Sequence, residues 1–144
     1  PEDWAAMAWA NLALPGMLAS AAARAMASRD GGRILLFGGT RTETVRGFKK
    51  NAAYAASKTG LGVVVKSVAA EYASRGVSAA LLCPGMVRTE YQDPAFRQRM
   101  DALSPRGSQS EPAAIASVAL WLLSGGMDTC NGAIINADEG LYAL

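Results

Sequence analysis

Three short apolar runs, separated by stretches of helical character, constrain this chain more than any other feature. Arg33-Ile34-Leu35-Leu36-Phe37 stops at Gly38-Gly39, Val77 to Cys83 stops at Pro84-Gly85, and Gly132 to Asn136 lies near the end. Runs this short and nearly continuous suit strands buried on both faces. Between them the pattern is helical. Glu2 to Met26 has apolar residues at helical spacing and ends in the turn cluster Ser28 to Gly32, with Pro15-Gly16 expected to kink it or end its first half. Ala52 to Ser74 reads as a long helix closed by Arg75-Gly76. Tyr91 to Leu103, polar and flanked by Pro94 and Pro105, has the look of a mobile flap. A last helix runs from Pro112 to about Ser124, with Ser110 as its expected cap.

Strands alternating with helices in this order imply an α/β fold with a parallel sheet and right-handed crossovers. Three strands make a thin sheet, and a buried-type strand such as Ile34–Phe37 at an open edge would invite aggregation. Further strands are therefore expected beyond these residues. The chain opens at Pro1 without an initiator Met, which reads as a truncated or cleaved start.

Composition narrows the chemistry. Of 144 residues, 51% are hydrophobic and 18% charged, which argues for a packed core. There is no histidine, and Cys83 and Cys130 follow no metal spacing, so a zinc site and a Ser-His-Asp triad are excluded. Two free thiols fit a reducing cytoplasm. The net charge is +2, and the loose cluster Arg97, Arg99 and Arg106 reads as a solvated helix face, so no nucleic-acid partner is expected. No uninterrupted apolar run reaches the roughly 18 residues that a membrane span needs, and no signal peptide opens the chain. Trp4, Trp9 and Trp121 are expected as interface or core anchors, and Met86 with Tyr91 as the mouth of a substrate site.

The residues with chemistry are Tyr54 and Lys58, four apart on the long helix and so on one face. A phenol titrates near 10, too high for easy proton exchange at neutral pH, and a nearby ammonium favours the phenolate. That pairing suits a general acid/base. It follows a buried strand by one loop, where doubly wound folds place their sites.

Tyr54-Ala-Ala-Ser-Lys58 resembles the signature of the short-chain dehydrogenases/reductases. Pro84-Gly85-Met86-Val87-Arg88-Thr89 resembles that family's turn after the next strand. Trp4 followed by Asn11-Leu12 resembles its fourth helix, and Ile115 through Asn131-Gly132 to Asp138-Glu139-Gly140 resembles its end. The resemblance runs over essentially the whole chain. It implies the C-terminal portion of a Rossmann-like doubly wound parallel sheet, residues 1–144 being the catalytic half of one domain whose dinucleotide-binding half is missing. It further implies hydride transfer between NAD or NADP and a small-molecule carbonyl or secondary alcohol. Tyr54 would then be the acid or base, and Lys58 would lower its pKa and hold the nicotinamide ribose. Asn11 would anchor a water in the proton relay. Pro84 to Thr89, with Gly85 and Met86 in the turn, would meet the nicotinamide amide through the Val87 backbone and the Thr89 hydroxyl. Family members commonly pair their fourth and fifth helices between subunits, so Glu2–Met26 and Ala52–Ser74 suggest a homodimer or homotetramer.

Two departures stand out. The family usually carries a serine at a fixed distance before the tyrosine, where this chain has Arg41; Thr40, or failing it Thr42, is expected to supply the hydroxyl. The Gly38-Gly39-Thr40 strand end also motivates a second reading, a non-catalytic scaffold or cofactor-sensing relative that kept the fold, and a third reading is half of a split enzyme needing a partner chain. The Gly-rich phosphate turn of dinucleotide folds is absent. Gly60-Leu61-Gly62 is read instead as close helix packing.

Overall fold

A computed structural model of the chain describes residues 3–142. Three parallel strands form one sheet in the order β1 (Gly32–Phe37), β2 (Val77–Pro84), β3 (Ile134–Ala137). Each crossover is helical: α3 (Ala52–Tyr72) joins β1 to β2, and α4 (Pro94–Leu103), α5 (Pro112–Trp121) and the single turn α6 (Met127–Thr129) lie between β2 and β3. The alternation read from the sequence is the one observed.

Strand β2 explains the two-sided architecture. It is central, and its side chains alternate between two apolar layers. Val77, Ala79, Leu81 and Cys83 face a cluster with Ala19, Ala23, Leu61, Val65, Val68 and Tyr72 from the helices before and after β1. Ala80 and Leu82 face Leu122 and Met127 on the other side. Ser78 takes its polar place on that second side by donating to Asp128 Oδ1 at 3.0 Å. Asp128 also pairs with Arg33 of β1, and that guanidinium holds the Asp128 carboxyl below the usual carboxylate range.

The first helical segment departs from the expected kink in an instructive way. It runs as α1 (Trp4–Ala8), a π-helical turn over Trp9–Ala13, and α2 (Leu14–Ala27). Pro15 has no N–H for the carbonyl of Asn11, four residues before it. The chain answers by widening one turn, and the Leu14 N–H reaches back to the Trp9 carbonyl. The whole stretch Trp4–Ala27 is long and apolar enough to cross a membrane by length and composition. Here Ala19 and Ala23 instead pack into the core beneath α3.

Other boundaries needed the tertiary context. Helix α4 starts at Pro94, capped by the Asp93 carboxylate, which accepts from the Phe96 N–H at 2.9 Å. Ser110 is not the cap of α5. Its backbone bridges to Val87, its hydroxyl donates to Glu139 at 3.2 Å, and Glu111 stands at the cap with its carboxylate paired to Arg88 at 3.0 Å and not to the helix N–H groups. The tryptophans are not core anchors either: Trp4, Trp9 and Trp121 all lie exposed. The glycine pair on α3 behaves as expected. A Cβ on Gly60 would stand 3.1 Å from Leu12, and one on Gly62 would stand 2.9 Å from Ile134. The helix thus touches α1–α2 on one side and β3 on the other through backbone.

Candidate active site

The carboxyl ends of the strands place the candidate groups side by side. After β1 comes a tight turn, Gly39 to Thr42, closed by the Thr42 N–H donating to the Gly39 carbonyl at 3.2 Å. After β2 comes Gly85, packed so closely on Asp138 that a Cβ there would lie 2.7 Å from the Asp138 Cβ. The Thr40 hydroxyl crosses between the two turns and donates to the Gly85 carbonyl at 3.2 Å.

Helix α3 starts at this crest and carries Tyr54 in its first turn, half-exposed at 37%. A Cβ on Gly39 would stand 3.1 Å from both the Tyr54 hydroxyl and its Cε1. Gly39, then, is the residue of the β1 turn that faces the phenol. The family spacing falls on Arg41, with Thr40, or failing it Thr42, the expected source of the hydroxyl instead; in the structure both hydroxyls bond to backbone carbonyls. The Thr42 side chain is buried, accepting from the Gly39 N–H at 2.8 Å and donating to the Gly39 carbonyl at 2.9 Å. Neither hydroxyl bonds to Tyr54. A count of residues cannot settle which one meets the phenol, because facing is fixed by the path of the loop.

Lys58 lies one turn along α3, its ammonium donating to the Phe37 carbonyl at 3.0 Å and standing 5.9 Å from the centre of the Tyr54 ring. The expected lowering of the Tyr54 pKa is not what this geometry gives. Burial pushes the phenol up from its ordinary value, with the Cys83 sulfur adding to the rise. Burial likewise pushes the Lys58 ammonium down. The reason is that Lys58 is held on a carbonyl at the end of β1 instead of on the phenol oxygen.

Asn11 sits in the π-helical turn. Its side-chain amide donates to the Met7 carbonyl at 3.2 Å, and its neighbour Leu12 rests on Gly60 of α3, half a turn beyond Lys58. In the turn after β2, the bridge between Val87 and Ser110 is made by the flanking Arg88 N–H and Met86 carbonyl. The Val87 N–H and the Thr89 hydroxyl therefore have no partner among the described residues, while the Val87 carbonyl accepts from Gln92 at 3.1 Å. Met86 is half-buried there and Tyr91 is almost fully exposed.

These two donors stand in the turn after β2, at the same carboxyl edge of the sheet as the turn after β1 that meets Tyr54. The family model described as enoyl-(acyl carrier protein) reductase matches residues 1–142. The chain belongs to the short-chain dehydrogenase/reductase family. Among its relatives in this family, galactitol 2-dehydrogenase (L-tagatose-forming) of Cereibacter sphaeroides is 34% identical over 122 residues, covering 81% of this chain and 48% of that protein. The 3-oxoacyl-(acyl-carrier-protein) reductase of Vibrio cholerae is 32% identical, covering 99% and 59%. The structure of a gluconate 5-dehydrogenase from Burkholderia cenocepacia, in complex with NADP and tartrate, superposes with a TM-score of 0.87 at 30% identity, covering 100% of this chain and 58% of that one. This short-chain dehydrogenase/reductase chain thus spans about half to three fifths of the length of these relatives.

Proposed function

We propose that the chain is the catalytic C-terminal half of an NAD(P)-dependent oxidoreductase that interconverts a carbonyl and a secondary alcohol on a small molecule. The observation that carries this reading is the Tyr54 phenol at the carboxyl edge of the parallel sheet, with Lys58 one turn along the same helix face. When bound, the nicotinamide supplies or takes up the hydride. The chain's own part is proton handling and placement. In the reducing direction Tyr54 gives its proton to the carbonyl oxygen. In the oxidising direction its phenolate takes the hydroxyl proton, and the raised pKa keeps the phenol at neutral pH in the protonated form that reduction uses. Lys58 would hold the nicotinamide ribose. The Val87 N–H and Thr89 hydroxyl would fix the carboxamide, with Pro84, Gly85 and Met86 shaping the turn that presents them. The Asn11 carbonyl, which Pro15 cannot engage, would hold a water passing protons from Lys58. No Gly-rich phosphate turn is present in these residues, so turnover is expected only from the complete fold.

The exposed apolar side chains Trp4 and Val63, which share one groove with Phe48 and Ala56, support a homodimer or homotetramer built on α1–α3. Two free cysteines support a cytoplasmic setting.

The test is Tyr54→Phe in the complete protein. A general acid contributes about 10²–10⁴ in rate, so kcat should fall by at least two orders of magnitude while NAD(P)H binding is kept. Unchanged turnover would remove Tyr54 from the reaction. Gly39 favours a second reading, a non-catalytic relative, because the face of the phenol that a hydroxyl would occupy is bare. Under that reading the wild-type protein binds NAD(P)H and turns over no carbonyl.

A further inference from the structure

The β1 turn carries a charge that the proton chemistry does not use. Arg41 adopts a left-handed backbone conformation, φ 62°, two residues after the glycine that touches Tyr54. Its guanidinium lies over the Tyr142 ring at 5.0 Å and pairs with no carboxylate among the described residues. That stack lies across the crest where Thr40 bonds Gly85 and Gly85 packs on Asp138. The Asp138 carboxylate does not answer Arg41, because its two oxygens accept the Gly140 and Tyr142 backbone N–H groups. The rest of the loop deepens the imbalance. Residues 40–51 hold Arg41, Arg46, Lys49 and Lys50 against the single acid Glu43, leaving the loop three charges positive, more than the +2 of the entire chain. Glu43 is already taken by Arg46 at 2.9 Å.

The turn that brings Gly39 against the phenol thus also carries a guanidinium with no carboxylate partner among the described residues. We propose that Arg41 selects substrates carrying a carboxylate near the carbonyl or alcohol, an inference that rests on the oxidoreductase reading. Tyr142 occupies one face of the guanidinium and leaves its edge free, and that edge offers the fork of N–H donors that binds a planar carboxylate bidentately. Two residues span about 7 Å at most, so the Arg41 backbone stays within that distance of Gly39, the residue that meets the phenol. Tyr142 then acts as a positioning residue that fixes where the fork points.

The experiment uses the complete protein with a series of 2-, 3- and 4-oxo acids and their methyl esters. The expected result is a kcat/KM for the best acid at least tenfold above that for its ester. Arg41→Asn, chosen because asparagine tolerates the left-handed conformation and so keeps the turn, should bring the ratio near one by raising KM for the acid. Tyr142→Leu should move the ratio the same way but less. Equal use of acid and ester by the wild type, or a ratio that Arg41→Asn leaves unchanged, overturns the inference. Should no substrate turn over, the oxidoreductase reading fails by itself. In that case succinate binding, followed by calorimetry and weakened at least tenfold by Arg41→Asn, upholds the carboxylate site, and equal binding or none overturns it.

Discussion

Gly39 lies against the Tyr54 phenol, with room for a Cβ only if the ring gives way by a few tenths of an ångström from 3.1 Å. The two residues stand 15 positions apart in sequence and come together because β1 ends where α3 begins its first turn. A carbonyl seated on Tyr54 would find no second hydroxyl on the glycine side, since Thr40 and Thr42 spend theirs on backbone carbonyls.

That gap predicts a gain of function. Gly39→Ser in the complete protein should place a donor beside Tyr54. One donor aimed at a developing oxyanion is worth about 10²–10³ in kcat, so a rise of at least tenfold is expected for carbonyl reduction. Gly39→Ala fills the same space without a hydroxyl and should give no rise. Equal behaviour of the two variants in steady-state assays would show that the gap has no catalytic meaning.

The upward shift of the phenol predicts a pH profile. Because Tyr54 stays protonated past its ordinary value of 10.0, kcat/KM for reduction should be flat from about pH 6 to 9. Oxidation needs the phenolate and should climb steadily into the alkaline range. A plateau of the oxidation rate near pH 7 would mean that the full protein lowers the phenol after all, through Lys58 drawn off the Phe37 carbonyl.

The central strand predicts where stability resides. Leu81 is fully buried between Leu36 and Ile134 in the sheet register and packs under α3. Leu81→Ala should cost about 2–5 kcal/mol in urea unfolding. Leu120→Ala, on a side chain 65% exposed, should stay within about 0.5 kcal/mol. Similar losses for both would mean that the outer face of α5 is covered in the assembled protein.

Much of this was legible in the sequence because it depends on local physics. Periodicity placed all three strands and the long helices to within a few residues, since burial on two faces leaves an apolar run and burial on one leaves a helical stripe. The glycines at 60 and 62 were readable as packing because no strand precedes them. Tyr54 and Lys58 sharing a helix face followed from their spacing alone. What the tertiary structure decided was direction. Whether Gly39, Thr40 or Thr42 meets the phenol depends on how a tight turn aims each Cβ, which no count of intervening residues contains. The same holds for Lys58, whose ammonium chose a carbonyl of β1 across the fold, and for Ser110, drawn from a helix cap into a bridge with Val87. Arg41 shows the limit most clearly: its charge is written in the sequence, but its lack of a carboxylate partner among the described residues and its seat on Tyr142 exist only once three strand ends are brought into one line.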